Sequence, residues 1–384
     1  MLKCAPDLLR LQNYKTVWGM AKKYFKNDSL RRVFSFQPLL VGGNPFNTTS
    51  IYSLIFYLER EWGVQFAMGG TGAIVRGLEK LMREEGIEIR LGEEVDKIWI
   101  SESGGRVHTA GVRAKSFDRL GSTDPDSIVV CNADAPMVYA KLLDPRLRRG
   151  VAARRIDSKI APQKYSMGLF VMYFGTKRTY SDVAHHTIVL GKQYKELIDD
   201  LFDRFGLEGE DTSVYLHRPT CTDPSMAPAG CESFYVLVPV PNNQPLKSNR
   251  RRWRRDNGAG MEIALRADGS IDWAVMGPKM RDATVKYLER TILPNLSETI
   301  VDDFYVTPDH FEKNLNSMHG AGFSIQPIFS QSAWFRFHNK APGIDGLYFV
   351  GAGTHPGAGM PGVLCSAKVL DHVVPDARRS VQRV

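Results

Sequence analysis

Cysteine is scarce and unpaired in this sequence of 384 residues: Cys4, Cys131, Cys221, Cys231 and Cys365 are scattered, with no CxxC and no even disulfide framework. That excludes a disulfide-stapled scaffold and gives no zinc-type spacing, so no metal is expected and a reducing cytosol is the simplest compartment. Long apolar runs are missing as well. No stretch reaches the roughly 20 residues that a spanning helix needs, and the N-terminus lacks the charged-then-apolar order of a signal peptide. The expectation is a soluble or peripheral protein. No carboxylate pair and no Ser-His-Asp arrangement stands at a diagnostic spacing. A strand-GxGxxG-helix unit is also absent. Gly351-Ala-Gly353 runs on into Thr-His-Pro-Gly357, which is the wrong spacing, and Gly70-Thr-Gly72 has no βαβ context before it.

What is present is ordinary globular material, 43% hydrophobic and 24% charged, enough to bury a large core in two interleaved domains. The net charge of +8 fits attraction to an anionic surface, which could be acidic lipid, nucleic acid or neither. The run Arg250-Arg-Arg-Trp-Arg-Arg255 is open to the same readings, but like charges with few apolar neighbours favour a solvated loop.

Along the chain, Leu8 to Phe25 reads as one amphipathic helix, with Leu11, Tyr14, Val17, Trp18, Ala21 and Phe25 on one side and Lys15, Lys22, Lys23 and Lys26 at the margins. Such a helix can lie in a bilayer interface or pack on a core. Ser50 to Trp62 reads as a second helix. Gly69-Gly-Thr-Gly72 opens a third, through Ile74, Leu78, Leu81 and Met82, which Gly86 ends before a strand at Ile87 to Leu91. Strands at Glu94 to Ile100 and Asp126 to Cys131 follow, with a hairpin excursion from His108 to Asp126 between them. Helix and strand in alternation argue for an α/β nucleotide-binding half. Beyond Leu142 the character becomes α+β. Strands are expected at Leu169 to Phe174, Ser213 to His217 and Phe234 to Val240, and helices at Tyr194 to Phe205 and Asp282 to Ile292.

The chain is organised around its C-terminal glycine-rich stretch. Leu347 to Val350 is a strand-length apolar run and Val363 to His372 keeps helical spacing, so Gly351, Gly353, Gly357, Gly359 and Gly362 fall in a strand-to-helix turn. A helix start there offers free N–H groups and partial positive charge to a ligand. A tight turn with no ligand is the alternative. This stretch is similar to the flavin motif of the bacterial-type phytoene desaturases, in the FAD-dependent amine-oxidase-like superfamily. Phe36 to Pro45, Ser50 to Ile55, Glu59 to Val64, Gly69 to Gly72, Ala184-His-His-Thr187 and Gln331 to Arg336 resemble the same family in the same order.

The resemblance implies an α/β fold, with an FAD-binding Rossmann-like domain interleaved with an α+β substrate domain. It implies a helical, membrane-contacting region at 1–66, part of the FAD-binding domain at 67–141, a substrate domain at 142–330 with a basic insertion at 242–272, and a C-terminal FAD-binding segment at 331–384. It also implies FAD contacts at Val95, Asn132, Gly351, Gly353, Thr354, Met360, Pro361, Gly362 and Val363. The implied activity is stepwise desaturation of phytoene towards lycopene, with the protein at a cytoplasmic membrane surface, a long isoprenoid as partner and no role for nucleic acid. A related isomerase, a desaturase of another polyene, or a non-catalytic isoprenoid-binding remnant stays open. Because Met1 aligns with the middle of the family pattern, the expectation is a chain that lacks the N-terminal dinucleotide-binding unit. Glu59, Arg60, Glu61 and His319 are the polar candidates left for a site, with a surface helix end and a satisfied loop histidine as plainer explanations.

Overall fold

The computed structural model describes residues 5–103, 106–121, 127–144, 160, 162–204, 212–245 and 263–376. The basic run at Arg250 to Arg255 lies outside the described residues.

The N-terminal segment is two helices, α1 (Ala5–Arg10) and α2 (Val17–Tyr24), and not the single helix expected from its spacing. Gln12 has a left-handed φ of 55°, and Thr16 caps α2 by accepting the Gly19 N–H at 3.0 Å. A capping hydroxyl at Thr16 and a reversed residue at Gln12 restart the helix where hydrophobic spacing alone reads through. The break divides the apolar stripe. Val17 and Ala21 are buried and Trp18 packs on Phe46 and Tyr194, with ring centroids 5.0 and 6.1 Å away, while Leu11 and Tyr14 stay exposed.

After α3 (Asp28–Val33), a 3-10 turn at Ser50–Ser53 leads into α4 (Leu54–Trp62). The glycine pair at Gly69 and Gly70 then turns the chain into α5 (Thr71–Glu84), as expected. Ile74, Val75, Leu78, Leu81 and Met82 of α5 are exposed. The expected strand at Ile87 to Leu91 does not form; the segment has no ladder partner among the described residues, and a strand exists only by pairing.

Three sheets carry the rest. β1 (Val95–Ser103), β2 (Arg106–Ala114) and β3 (Phe117–Leu120) form an antiparallel meander. β4 (Val129–Cys131) pairs in parallel with a distant strand, β10 (Leu347–Phe349), and a bridge between His108 and Asp345 ties the meander to that pair. The third sheet has the order β6-β7-β8-β5-β9, built from β5 (Gly168–Thr176), β6 (His186–Val189), β7 (Val214–His217), β8 (Glu232–Val240) and β9 (Ile300–Val306). All its pairings are antiparallel.

One face of this sheet buries Phe170, Met172, Leu216, Phe234 and Val236 against Trp273, Met276, Met280 and Leu288 of α6 (Trp273–Thr291). The helix starts nine residues before the expected Asp282, because Asp272 caps it, accepting the Ala274 N–H at 3.1 Å, and Pro278 is carried inside. The expected helix from Tyr194 is α-helical to Asp199 and then π-helical to Arg204. A second core, with Ile98, Val138, Tyr139, Leu347 and Phe349, packs around β1, β4 and β10. The last long helix, α7 (Met360–Lys368), follows the glycine turn and is succeeded by a short helix at Leu370–Val373.

Candidate functional site

Parallel strands put their carboxyl ends side by side, and ligands of open α/β sheets sit outside those ends. Here β4 delivers Asn132 and β10 delivers Gly351 to the same edge. Gly351 has φ 110°, and a Cβ there would stand 2.8 Å from Asn132 Oδ1. At Gly353 a Cβ would come within 2.7 Å of Asp134 Oδ1 and 2.9 Å of Ser324 Oγ. Local hydrogen bonds fix the turn. The Gly351 N–H donates to Ser366 Oγ at 2.8 Å, and the buried Thr354 hydroxyl donates to the Gly351 carbonyl at 2.9 Å.

Beneath the turn lies Arg336, 0% exposed. Its Nε and Nη2 donate to the Ala352 carbonyl at 3.0 and 2.6 Å, and Nη1 donates to the Gln331 carbonyl at 3.2 Å. Burial draws the guanidinium below its ordinary value, opposed by the nearby Tyr52 and Asp134. Asp134 is held in place by the Ser324 hydroxyl at 2.5 Å and the Met318 N–H at 3.1 Å. Burial raises its carboxyl, while the bonds from Ser324 and Met318 and the charge of Arg336 work against that rise. The motif around Arg336 is visible in the sequence, but its bracing role is not. Its signal was an arginine inside the apolar-aromatic run Trp334-Phe-Arg-Phe337.

Downstream, α7 starts with an unusual terminus. Gly359 at the cap supplies no side-chain acceptor, and Pro361 has no N–H to satisfy. Met360 and Pro361 are exposed, and Gly362 and Val363 are half-buried. A Cβ at Gly362 would meet the Gly357 carbonyl oxygen at 2.7 Å. Next to the turn, Nδ1 of His355 is buried without a hydrogen-bond partner among the described residues. The turn thus packs its glycine backbones against protein atoms and leaves a bare helix start and an orphaned polar atom beside them.

The remaining sequence candidates divide. Asn132, Gly351, Gly353, Thr354, Met360, Pro361, Gly362 and Val363 come together on the β4 and β10 edge and the start of α7. Val95 stands apart: it opens β1, paired with Ala114, and no described hydrogen bond ties it to the turn. Glu59 is half-buried, accepts from Gln37 Nε2 at 2.8 Å and is raised by burial, whereas Arg60 and Glu61 are exposed. His319 borders the site through Met318, has φ 58°, lies edge-on to Tyr165 at 4.9 Å and is lowered by burial.

The open face of the five-stranded sheet carries a row of rings. Phe304 stacks on Tyr173 at 4.8 Å, Tyr173 meets Tyr235 at 5.6 Å, and Tyr235 stacks on His217 at 4.6 Å. Phe304 and Tyr173 remain 60% and 38% exposed, so this wall has apolar area to offer a ligand.

A family model described as flavin containing amine oxidoreductase matches residues 6–368. The chain is 42% identical over 380 residues to a neurosporene-forming phytoene desaturase of Rhodobacter capsulatus, covering 98% of this chain and 66% of that one. It is 42% identical over 368 residues to a lycopene-forming phytoene desaturase of Pantoea ananas, covering 96% and 68%. Among solved structures, an oxidoreductase from Methanosarcina mazei shares the fold, with a TM-score of 0.60 at 15% identity over 97% of this chain and 72% of that one. The chain spans about two thirds of the length of the curated relatives it matches.

Proposed function

The chain belongs to the flavin-containing amine oxidoreductases and, within them, to the phytoene-desaturase-like proteins, and from that premise we propose that it serves FAD-dependent desaturation of phytoene in carotenoid biosynthesis. The observation that carries the reading is the glycine turn at the carboxyl ends of β4 and β10, ending on the bare start of α7. In this proposal Gly351, Gly353, Thr354 and residues 360–363 receive the flavin end of FAD, and Asn132 borders it. Val95 contributes from the start of β1. Removing hydrogen from a C–C bond takes away a hydride and a proton, and FAD supplies the hydride acceptor that no side chain can provide.

The chain's own share is placement. Arg336 braces the turn ahead of α7 through the Ala352 carbonyl, and Asp134 lies beside it as an opposite charge. The row from Phe304 to His217 gives a long polyene flat, apolar contact and keeps water from it. The division proposed for the chain is the one read from its sequence, with 142–330 holding the substrate and 67–141 and 331–384 holding FAD.

A water-insoluble substrate calls for contact with the membrane that dissolves it, and we place the protein on the cytoplasmic face as a peripheral protein. Among the described residues no helix is long and apolar enough to cross a membrane. Leu9, Leu11, Tyr14 and Tyr24 are exposed around α1 and α2, beside Lys22, Lys23 and Lys26, which suits an anionic interface.

The flavin seat is tested with Gly353→Val, measuring FAD affinity by flavin fluorescence. The substituent runs into Asp134 and Ser324, and a fall in affinity of at least tenfold is expected with the fold retained by circular dichroism. Equal affinity in the two proteins would remove the turn from the site.

A further inference from the structure

Outside the glycine turn, the one cluster of ligating side chains among the described residues is His185, His186 and His217, in which one ring nitrogen of each lies within 4.8 Å of the others. The pairing of β6 with β7 creates it. His186 and His217 are direct cross-strand partners, so their side chains share a face, and the preceding residue His185 is tied in by the Arg218 N–H, which donates to its carbonyl at 2.9 Å. Spacing in the sequence could not show this, because His217 is 31 positions from His186 and only the strand register joins them.

Three imidazoles at such close range need a reason. Their Nδ1 atoms face hydroxyl oxygens: Thr222 Oγ1 is 2.6 Å from His185, and Tyr215 Oη is 2.7 Å from His186 and 3.2 Å from His217. The Tyr215 oxygen also accepts from the neighbouring Tyr235 hydroxyl. These hydroxyls fix the orientation of the three rings. This is the arrangement in which an outer partner orients a metal-binding histidine. His185 Nε2 is moreover buried with no partner among the described residues.

We propose that His185, His186 and His217 form a binding site for a zinc-class divalent transition-metal ion, with a fourth position open on the exposed His186 side. Three imidazole nitrogens without a carboxylate select zinc, copper or nickel over magnesium or calcium. Burial lowers all three rings, and the neighbouring histidines add to it for His186 and His217. Ring contacts enclose the site: Phe66 lies edge-on to His185 at 4.6 Å and Tyr235 stacks on His217. A bound ion would pin β6 to β7 at one end of the aromatic row and hold the loop carrying Phe66 over it.

The test is titration of the full, chelator-treated chain with Co²⁺ as probe. One equivalent should bind, giving visible ligand-field bands of tetrahedral type, and Zn²⁺ should displace it and raise the melting temperature. His186→Ala, at an exposed ring, should lose the bands, whereas His372→Ala, an exposed histidine elsewhere, should keep them. X-ray absorption of the zinc-loaded wild type gives a second measurement that does not depend on any variant folding. A first shell of three imidazoles supports the site. No saturable band in the wild type, unchanged bands in His186→Ala, or a first shell of oxygens or a single imidazole would overturn it. All three readouts are independent of flavin and of desaturation.

Discussion

Arg336 holds the glycine turn from below by giving its guanidinium protons to backbone carbonyls that the turn cannot satisfy itself, with Asp134 as the nearby opposite charge. Removing one member of a buried charged set strands the others, which costs about 3–5 kcal/mol. Arg336→Met should therefore lower stability by that amount in urea unfolding, and adding Asp134→Asn should cost much less than its own single change, because the two residues share one network. Additive losses would show that they act separately. The glycines of this turn were legible in the sequence, since their density between an apolar strand and a helix has few structural explanations. The brace was not. Nothing in the local pattern says that an arginine next to Trp334 and Phe335 turns inward, because its partners at Gln331 and Ala352 are chosen by the fold.

At the level of elements, long periodic segments were readable and their ends were not. α5, β1, β5, β8 and the β10-to-α7 unit lie where spacing puts them, whereas capping decided the rest: Thr16 divided the first helix and Asp272 started α6 early. Ile87 to Leu91 failed as a strand for another reason, since alternation marks a segment able to pair but cannot supply its neighbour. The divided first helix also changes which residues can meet a membrane. Trp18 is packed on Phe46 and Tyr194, so the exposed group is Leu9, Leu11, Tyr14 and Tyr24. Leu11→Ser combined with Tyr14→Ser should reduce flotation with anionic liposomes several-fold while leaving the melting temperature within a few degrees. Unchanged flotation would assign this patch to something other than lipid.

For the molecule as a whole, the proposed function divides labour between an edge and a wall. The edge formed by β4, β10 and α7 is backbone-rich and polar; the wall formed by β5 to β9 is aromatic and broad. The sequence contains both but not their relation, which depends on pairings between strands such as Val129 and Leu347, 218 positions apart. It also contains no GxGxxG to hold a diphosphate, and the apolar row on α5 is uncovered by any described element. Lost charge-assisted hydrogen bonds at about 1.5–3 kcal/mol each translate into orders of magnitude in affinity. The most direct measurement is an FAD titration of the purified chain, alone and together with a strand-GxGxxG-helix unit from a relative, with phytoene in liposomes and the visible absorbance of the extracted carotene read at each point. The account predicts weak FAD binding and little colour from the chain alone, and tight binding with FAD-dependent growth of visible absorbance once the unit is supplied. Tight stoichiometric binding by the chain alone, or phytoene left unchanged when FAD is fully bound, would contradict it.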